Sequence, residues 1–295
     1  NKGEKRNTLI AFEDGFHGDT FGAMSVSSLS VYNGPFEDFF LDVKRIPVPN
    51  GTNHESILET LQTIVDNNNV AGFVYEPLVQ GAAAMKMHNA EGLNQILKFC
   101  KAHKIITVAD EVMTGFGKTG KHFASLHLEQ KPDVMCLSKA LTAGLLPMAI
   151  TSCSQDIYDA FYSNDIGKGL FHGHTYSANP LACTAALAGI ELLQSKAIQD
   201  NIQLVIASHK GFGEHIKNHP KVKSIRQTGV IFALDLNIEM ERYGDLRDKL
   251  FHFFMENGIF LRPLGSTIYI QAPYVITEAQ LQNIYTVIEA ALEIV

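Results

Sequence analysis

Short apolar runs alternate along this chain with stretches whose hydrophobic residues recur every three to four positions. That alternation restricts the possible folds more than any other feature. VAGFVYEP (70–77) is β-branched and aromatic and stops at Pro77. NAEGLNQILKFCKAHK (89–104) follows, with Asn89 placed to cap a helix and Leu93, Ile96, Leu97 and Cys100 along one face of it. IITVAD (105–110), VMCLSK (134–139) and PMAITSC (147–153) read as buried strands. NPLACTAALAGIELLQ (179–194) predicts a helix entered through Asn179 and Pro180, with proline at its first position. The pattern predicts an α/β domain, a mostly parallel sheet with helices on both faces.

The texture changes near residue 195. A helical segment at roughly 197–217 leads into VKSIRQTGVIFALDL, then a helix at 244–256. Two short strands are expected around GIFLRPLG and STIYIQAP, and a last helix over 277–294. These signals divide the chain into a large domain, 1–195, and a smaller C-terminal α+β domain, 196–295. A length of 295 residues suits two lobes, and 46% hydrophobic with 19% charged residues describes an ordinary globular protein. The net charge of −7 gives no basic footprint for nucleic acid, and no apolar stretch is long enough to span a bilayer. Cys100, Cys136, Cys153 and Cys183 are scattered with no CxxC spacing, which points to reduced thiols and a cytoplasmic protein. The opening NKGEKRNTLIAF has no initiator Met and runs at once into a strand pattern, which suggests a truncated chain; a processed terminus or a chosen start point gives the same pattern.

In a parallel α/β sheet, ligands sit beyond the carboxyl ends of the strands, and three strands here deliver Glu76, Asp110 and Lys139 to that edge. The stretch VADEVMTGFGKTGK (108–121) invites a phosphate-loop reading, which fails in detail. Gly115 and Gly120-Lys121 have the spacing, but His122 stands where the magnesium-binding hydroxyl belongs. A metal site at His17, His172 and His174 has no HExxH or similar pair to support it. Taken singly, Lys139 reads as a solvated lysine and Asp110 as a surface acid. Together they suggest a different chemistry. A lysine forms a Schiff base with an aldehyde cofactor, and a carboxylate holds the pyridine nitrogen of pyridoxal 5′-phosphate (PLP) protonated, which makes the ring an electron sink.

The run VYEPLVQGAAAM, KAHKIITVADEVMTGFGKTGKHFA, KPDVMCLSKALTAG and FHGHTYSANPLACTAALAGIELL resembles the class III, fold-type I, PLP-dependent aminotransferases, over essentially the whole chain. The resemblance implies that residues 1–195 form an N-terminally incomplete PLP-binding domain. GFHGDTFGAMS (15–25) is similar to the branch that moves an amine from S-adenosylmethionine to 8-amino-7-oxononanoate in biotin synthesis. Relatives acting on ornithine or aminobutyrate usually carry Glu where Ala82 stands, so Arg262 is left free for a substrate carboxylate. The alternatives are another ω-amino acid or diamine transaminase of the class, or an inactive truncated fragment.

The resemblance assigns roles residue by residue. Lys139 and Asp110 are catalytic, the first as Schiff-base lysine and proton carrier, the second at the pyridine nitrogen. Val112 packs on one ring face and Phe16 stacks on the other, with His17 beside them. His174 and Thr175 reach the phosphate of the neighbouring subunit's cofactor, which implies a homodimer with shared active sites. Phe16, Asp19, Lys139, Gly173, Arg262 and Tyr269 contact the small-molecule substrates. The chain departs from the pattern at Phe16, commonly Tyr in this branch, at Lys118, frequently Arg, and at Met113, often Gln.

Overall fold

The computed structural model describes residues 3–242 and 244–294. Contacts group the chain into two compact units. The first comprises residues 1–83, 88–116 and 123–190; the second comprises 84–87, 117–122 and 191–295. The sequence suggested one cut near residue 195. The chain instead crosses between units several times, and one continuous helix runs through the last crossing.

In the first unit the elements run β1 (Thr8–Phe12), α1 (Phe21–Val26), β2 (Asp42–Ile46), α2 (His54–Asn67) and β3 (Val70–Tyr75). Two two-residue strands follow, β4 (Val79–Gln80) and, within the second unit's share of the chain, β5 (Lys86–Met87). The unit continues with α3 (Ala90–Ala102), β6 (Ile106–Asp110), β7 (Val134–Leu137), β8 (Ile150–Cys153), α4 (Gln155–Phe161) and most of α5 (Pro180–Gln194). The sheet order is β2-β1-β3-β6-β7-β8, with every neighbouring pair parallel except β7 and β8.

The aromatic and β-branched residues of β1 and β3 fill the interior. Ile10, Phe12, Phe73 and Tyr75 are fully buried, and Phe12 meets Phe73 edge-on at 5.0 Å. The apolar face expected on α3 is buried, and the Asn89 side chain accepts the Gly92 N–H at 2.7 Å. At the far edge β8 is exposed along its length.

The second unit holds α6 (Lys196–Ile216), β9 (Val222–Thr228), β10 (Ile231–Leu236), α7 (Asp245–Glu256), β11 (Thr267–Ile270) and α8 (Glu278–Leu292). Its sheet is antiparallel, ordered β11-β10-β9. Here the sequence reading needs a correction: GIFLRPLG forms no strand. Pro263 has no N–H to give a ladder, Phe260 is 81% exposed, and only an isolated bridge joins Leu264 to Thr267.

The glycine-rich stretch is used inside this unit. Gly229, at φ +59, turns β9 into β10, and a Cβ there would lie 2.2 Å from the Thr119 carbonyl carbon. Only glycine allows that approach. The Gly117 N–H bonds the His122 carbonyl and the Gly120 N–H bonds the Gly117 carbonyl, so these amides do not form a phosphate cradle. Lys118 is largely buried, with Nζ 4.9 Å from the centre of the Tyr274 ring, and burial lowers its pKa.

Candidate active site

The strand order fixes where a site can form. From β1 the chain crosses to β2 on one side, and from β3 it crosses to β6 on the other. The loops beyond β1 and β3 therefore diverge and leave a crevice at the carboxyl ends of the strands. The loop after β1 carries Phe16 and His17, Glu76 follows β3, Asp110 closes β6, and Lys139 lies just past β7.

Asp110 and His17 meet directly. His17 Nδ1 lies 2.8 Å from Asp110 Oδ2, with the two side chains only 4% and 12% exposed. Asp110 Oδ1 accepts the Val112 N–H at 3.1 Å. A carboxylate offers about four lone-pair positions, so one more N–H donor can be accepted. His17 is fixed in turn, because its backbone N–H donates to Ser27 Oγ at 2.9 Å. Phe16, next along, is 48% exposed. Phe16, His17, Asp110 and Val112 are thus brought together.

Lys139 is exposed and opens a short 3-10 turn, Lys139–Thr142, after β7. Cys136 is the register partner of Asp110 on the neighbouring parallel strand, so Lys139 leaves the sheet three positions past that level. Its φ of +45 is a left-handed backbone that a lysine rarely adopts. Such strain persists only where the surroundings impose it, and it clusters at functional sites. Ser138, just before it, donates its hydroxyl to the Met148 carbonyl at 2.7 Å.

The remaining expected residues fall on other segments of the chain. Asp19 is exposed beyond the β1 loop. Gly173, His174 and Thr175 lie on an exposed stretch before α5, where the His174 N–H donates to Ser177 Oγ at 3.1 Å. Gly173 and His174 line a cavity of about 810 Å³ with Ser138, Met148 and Asn179. Arg262 and Tyr269 belong to the second unit; Arg262 is exposed, and Tyr269 pairs with Ala233 across β11 and β10.

Two residues that support the cluster went unassigned in the sequence. Glu111 is fully buried, and its carboxylate accepts N–H groups from Ala124 at 2.8 Å and Ser125 at 2.7 Å, and the Thr114 hydroxyl at 3.2 Å. It stands beside Asp110 in sequence, so it reads there as half of an acidic pair. It is the first residue past β6, and its bonds tie down the loop that follows. Gln80, also fully buried, donates to the Glu13 carbonyl at 2.7 Å and holds the β1 loop.

These residues fit an aromatic aldehyde cofactor. Asp110 is a nearly buried carboxylate with acceptor capacity left, Phe16, next to His17 in the chain, offers an exposed side chain, and Lys139 supplies an amine from the end of the neighbouring strand. A mostly parallel sheet bearing this acid and this lysine defines a PLP-dependent enzyme of fold-type I. The chain belongs to the aminotransferase class-III family, whose sequence pattern matches residues 1–292.

The chain is 38% identical to the adenosylmethionine-8-amino-7-oxononanoate aminotransferase of Synechococcus elongatus, over 99% of its own length and 71% of that protein. A crystal structure of the enzyme of that name from Methanocaldococcus jannaschii superposes with a TM-score of 0.88 at 30% identity, covering 99% of this chain and 69% of the other. An amine transaminase from an uncultivated Pseudomonas species, solved in its PLP-bound form, gives 0.88 at 25% identity, covering 98% and 70%. Across the curated relatives it resembles, the chain spans between 57% and 71% of their lengths. PLP is the cofactor of this class of enzyme.

Proposed function

We propose that this chain carries out PLP-dependent transamination of 8-amino-7-oxononanoate to 7,8-diaminononanoate, with S-adenosylmethionine as amino donor, in biotin biosynthesis. The observation that carries the reading is the Asp110–His17 pair at the sheet edge where Lys139 also leaves its strand, with the exposed Phe16 next to His17 in the chain. The reading of donor and acceptor rests on the names of the curated relatives and on GFHGDTFGAMS.

Bound PLP supplies an electron sink for the carbon that loses its proton. Asp110, held in place by His17 and the Val112 N–H, would accept the N–H of the pyridine nitrogen and keep it charged. Phe16 and Val112 would flank the ring. Lys139 would supply the amine that holds the cofactor's aldehyde and, once free, the base that moves the proton. A guanidinium grips a carboxylate with two parallel hydrogen bonds, so Arg262 orients the acid end of 8-amino-7-oxononanoate, with Asp19, Gly173 and Tyr269 as further substrate contacts. Residues 1–195 act as the cofactor-binding domain and 196–295 as the small domain.

The active unit in this reading is a homodimer in which His174 and Thr175 approach the phosphate held by the other subunit. Its support is the exposure of large apolar side chains in the first unit, among them Leu145 at 74%, Tyr162 at 76% and Phe171 at 77%. Exposed apolar side chains support an interface where they are contiguous. The reading places the protein in the cytoplasm, which four free cysteines support. No single helix among the described residues is long and apolar enough to cross a membrane; α5 and α6 pass that test only when taken together across a 65° bend.

The test is incubation with PLP, S-adenosylmethionine and 8-amino-7-oxononanoate, followed by mass analysis. The reading requires 7,8-diaminononanoate. Product formed from ω-amino acid or diamine donors, with none from S-adenosylmethionine, would assign the chain to another branch of the class.

A further inference from the structure

Glu76 stands at the carboxyl end of β3, one of the three groups delivered to the sheet edge, and the chemistry above gives it no task. It is buried, 6% exposed. Its two oxygens go to two separate backbone amides, Oε1 accepting the Phe16 N–H at 3.2 Å and Oε2 the Gly81 N–H at 3.0 Å. Burial raises its pKa, and the amides of Gly81 and Phe16 counter that rise. A buried charge of this kind is costly unless its hydrogen bonds are needed.

The need lies in Phe16. Its side chain is half exposed, with no ring-to-ring contact recorded among the described residues, so the placement of its Cα and Cβ is set by the backbone that carries them. That backbone is pinned residue by residue. The Gly15 carbonyl accepts the Ser28 N–H at 2.8 Å, the Phe16 N–H is held by Glu76, and the His17 N–H is held by Ser27. Gln80 adds a bond to the Glu13 carbonyl from the same segment as Glu76.

We propose that Glu76 is a positioning residue, a carboxylate clamp that aims the Phe16 ring at the cofactor by tying the loop after β1 to the Gln80-Gly81 turn. The proposal rests on the reading above that places Phe16 over the PLP ring. Glu76 touches neither cofactor nor substrate in this role; it acts through Phe16.

Glu76→Gln tests it with little change of shape. The amide keeps one acceptor and turns an N–H₂ toward the other backbone N–H, so one bond is lost and two donors face each other. Wild-type and variant holoenzyme are compared by PLP titration and by the visible absorption and circular dichroism of the bound cofactor. Amide hydrogen exchange is measured on the cofactor-free chains.

The variant keeps its lysine-linked absorption band, because Lys139 is untouched. It loses most of the circular dichroism of that band, binds PLP about tenfold more weakly, and exchanges faster at Phe16 and Gly81 than wild type while the rest of the chain is unchanged. Unchanged dichroism and affinity overturn the proposal. So does a uniform rise in exchange with the dichroism intact, which describes a stabilising residue only. If Glu76→Gln does not fold, Glu76→Asp keeps the charge but shortens the arm by one methylene, and the same three measurements decide in the same way. A wild-type protein with no lysine-linked band contradicts the proposed function instead, and is thereby told apart from a failure of the clamp.

Discussion

At the scale of single residues, the proposed reading separates groups that touch the cofactor from groups that touch the substrate, and Arg262 tests the second kind. S-adenosylmethionine also carries a carboxylate, but the reading assigns Arg262 to that of the keto acid. Arg262→Ala therefore weakens the half-reaction with 8-amino-7-oxononanoate about a hundredfold in kcat/KM, the order expected for a lost charge-assisted pair, and affects the S-adenosylmethionine half-reaction less. Equal losses in single-turnover measurements of the two half-reactions would remove that assignment. The positions of Asp110 and Lys139 at one sheet edge were legible in the sequence because one closes and the other closely follows a short apolar run, and the sheet places such strand ends at one edge. Glu111 was not. Nothing local shows that Ala124 and Ser125 return to bond it. The left-handed backbone of Lys139 was equally invisible, because φ there is imposed by the turn after β7 and not by the residue.

At the scale of elements, the loop after β6 depends on Glu111. Glu111→Ala leaves the Ala124 and Ser125 amides without their acceptor in a buried place, at a cost on the order of 3 kcal/mol, read as a lower urea midpoint. In the second unit α6, α8 and β10 meet around His209, which is fully buried, bonded through Nδ1 to Tyr285 Oη at 2.7 Å and tilted against Phe232. Burial depresses its pKa from 6.5 to about 4. Above pH 6.5 the imidazole is neutral in both states and pH has no effect through it. Between 6.5 and about 4 only the unfolded chain takes the proton, so stability falls with pH over that window, by on the order of 3 kcal/mol across the whole of it. Urea denaturation at pH 7 and pH 5 measures this, and His209→Gln makes the difference between the two pH values smaller. An unchanged difference would show that His209 does not set it. Helices were read well from the sequence because their period is long and repeated, as on α3. The failed strand at GIFLRPLG shows the opposite case, in which a short apolar run is interrupted by Pro263 and kept out of the ladder.

At the scale of the whole molecule, the exposed apolar side chains of the first unit have consequences for assembly. If the proposed dimer uses this surface, Tyr162→Glu combined with Phe171→Glu places charge on it and shifts the protein from dimer to monomer in sedimentation velocity, with activity falling in proportion because His174 and Thr175 would no longer reach a second subunit. A monomer with full activity would contradict the shared site. Everything proposed for the chain depends, however, on the cofactor and its amino donor. A visible absorption spectrum of the enzyme with PLP tests both, recorded before and after addition of S-adenosylmethionine, with Lys139→Ala alongside. Wild type is expected to show a lysine-linked band, absent from Lys139→Ala, that falls as the pyridoxamine form rises. A band that persists in Lys139→Ala, or one that ignores S-adenosylmethionine, would show that the lysine or the donor has been wrongly assigned.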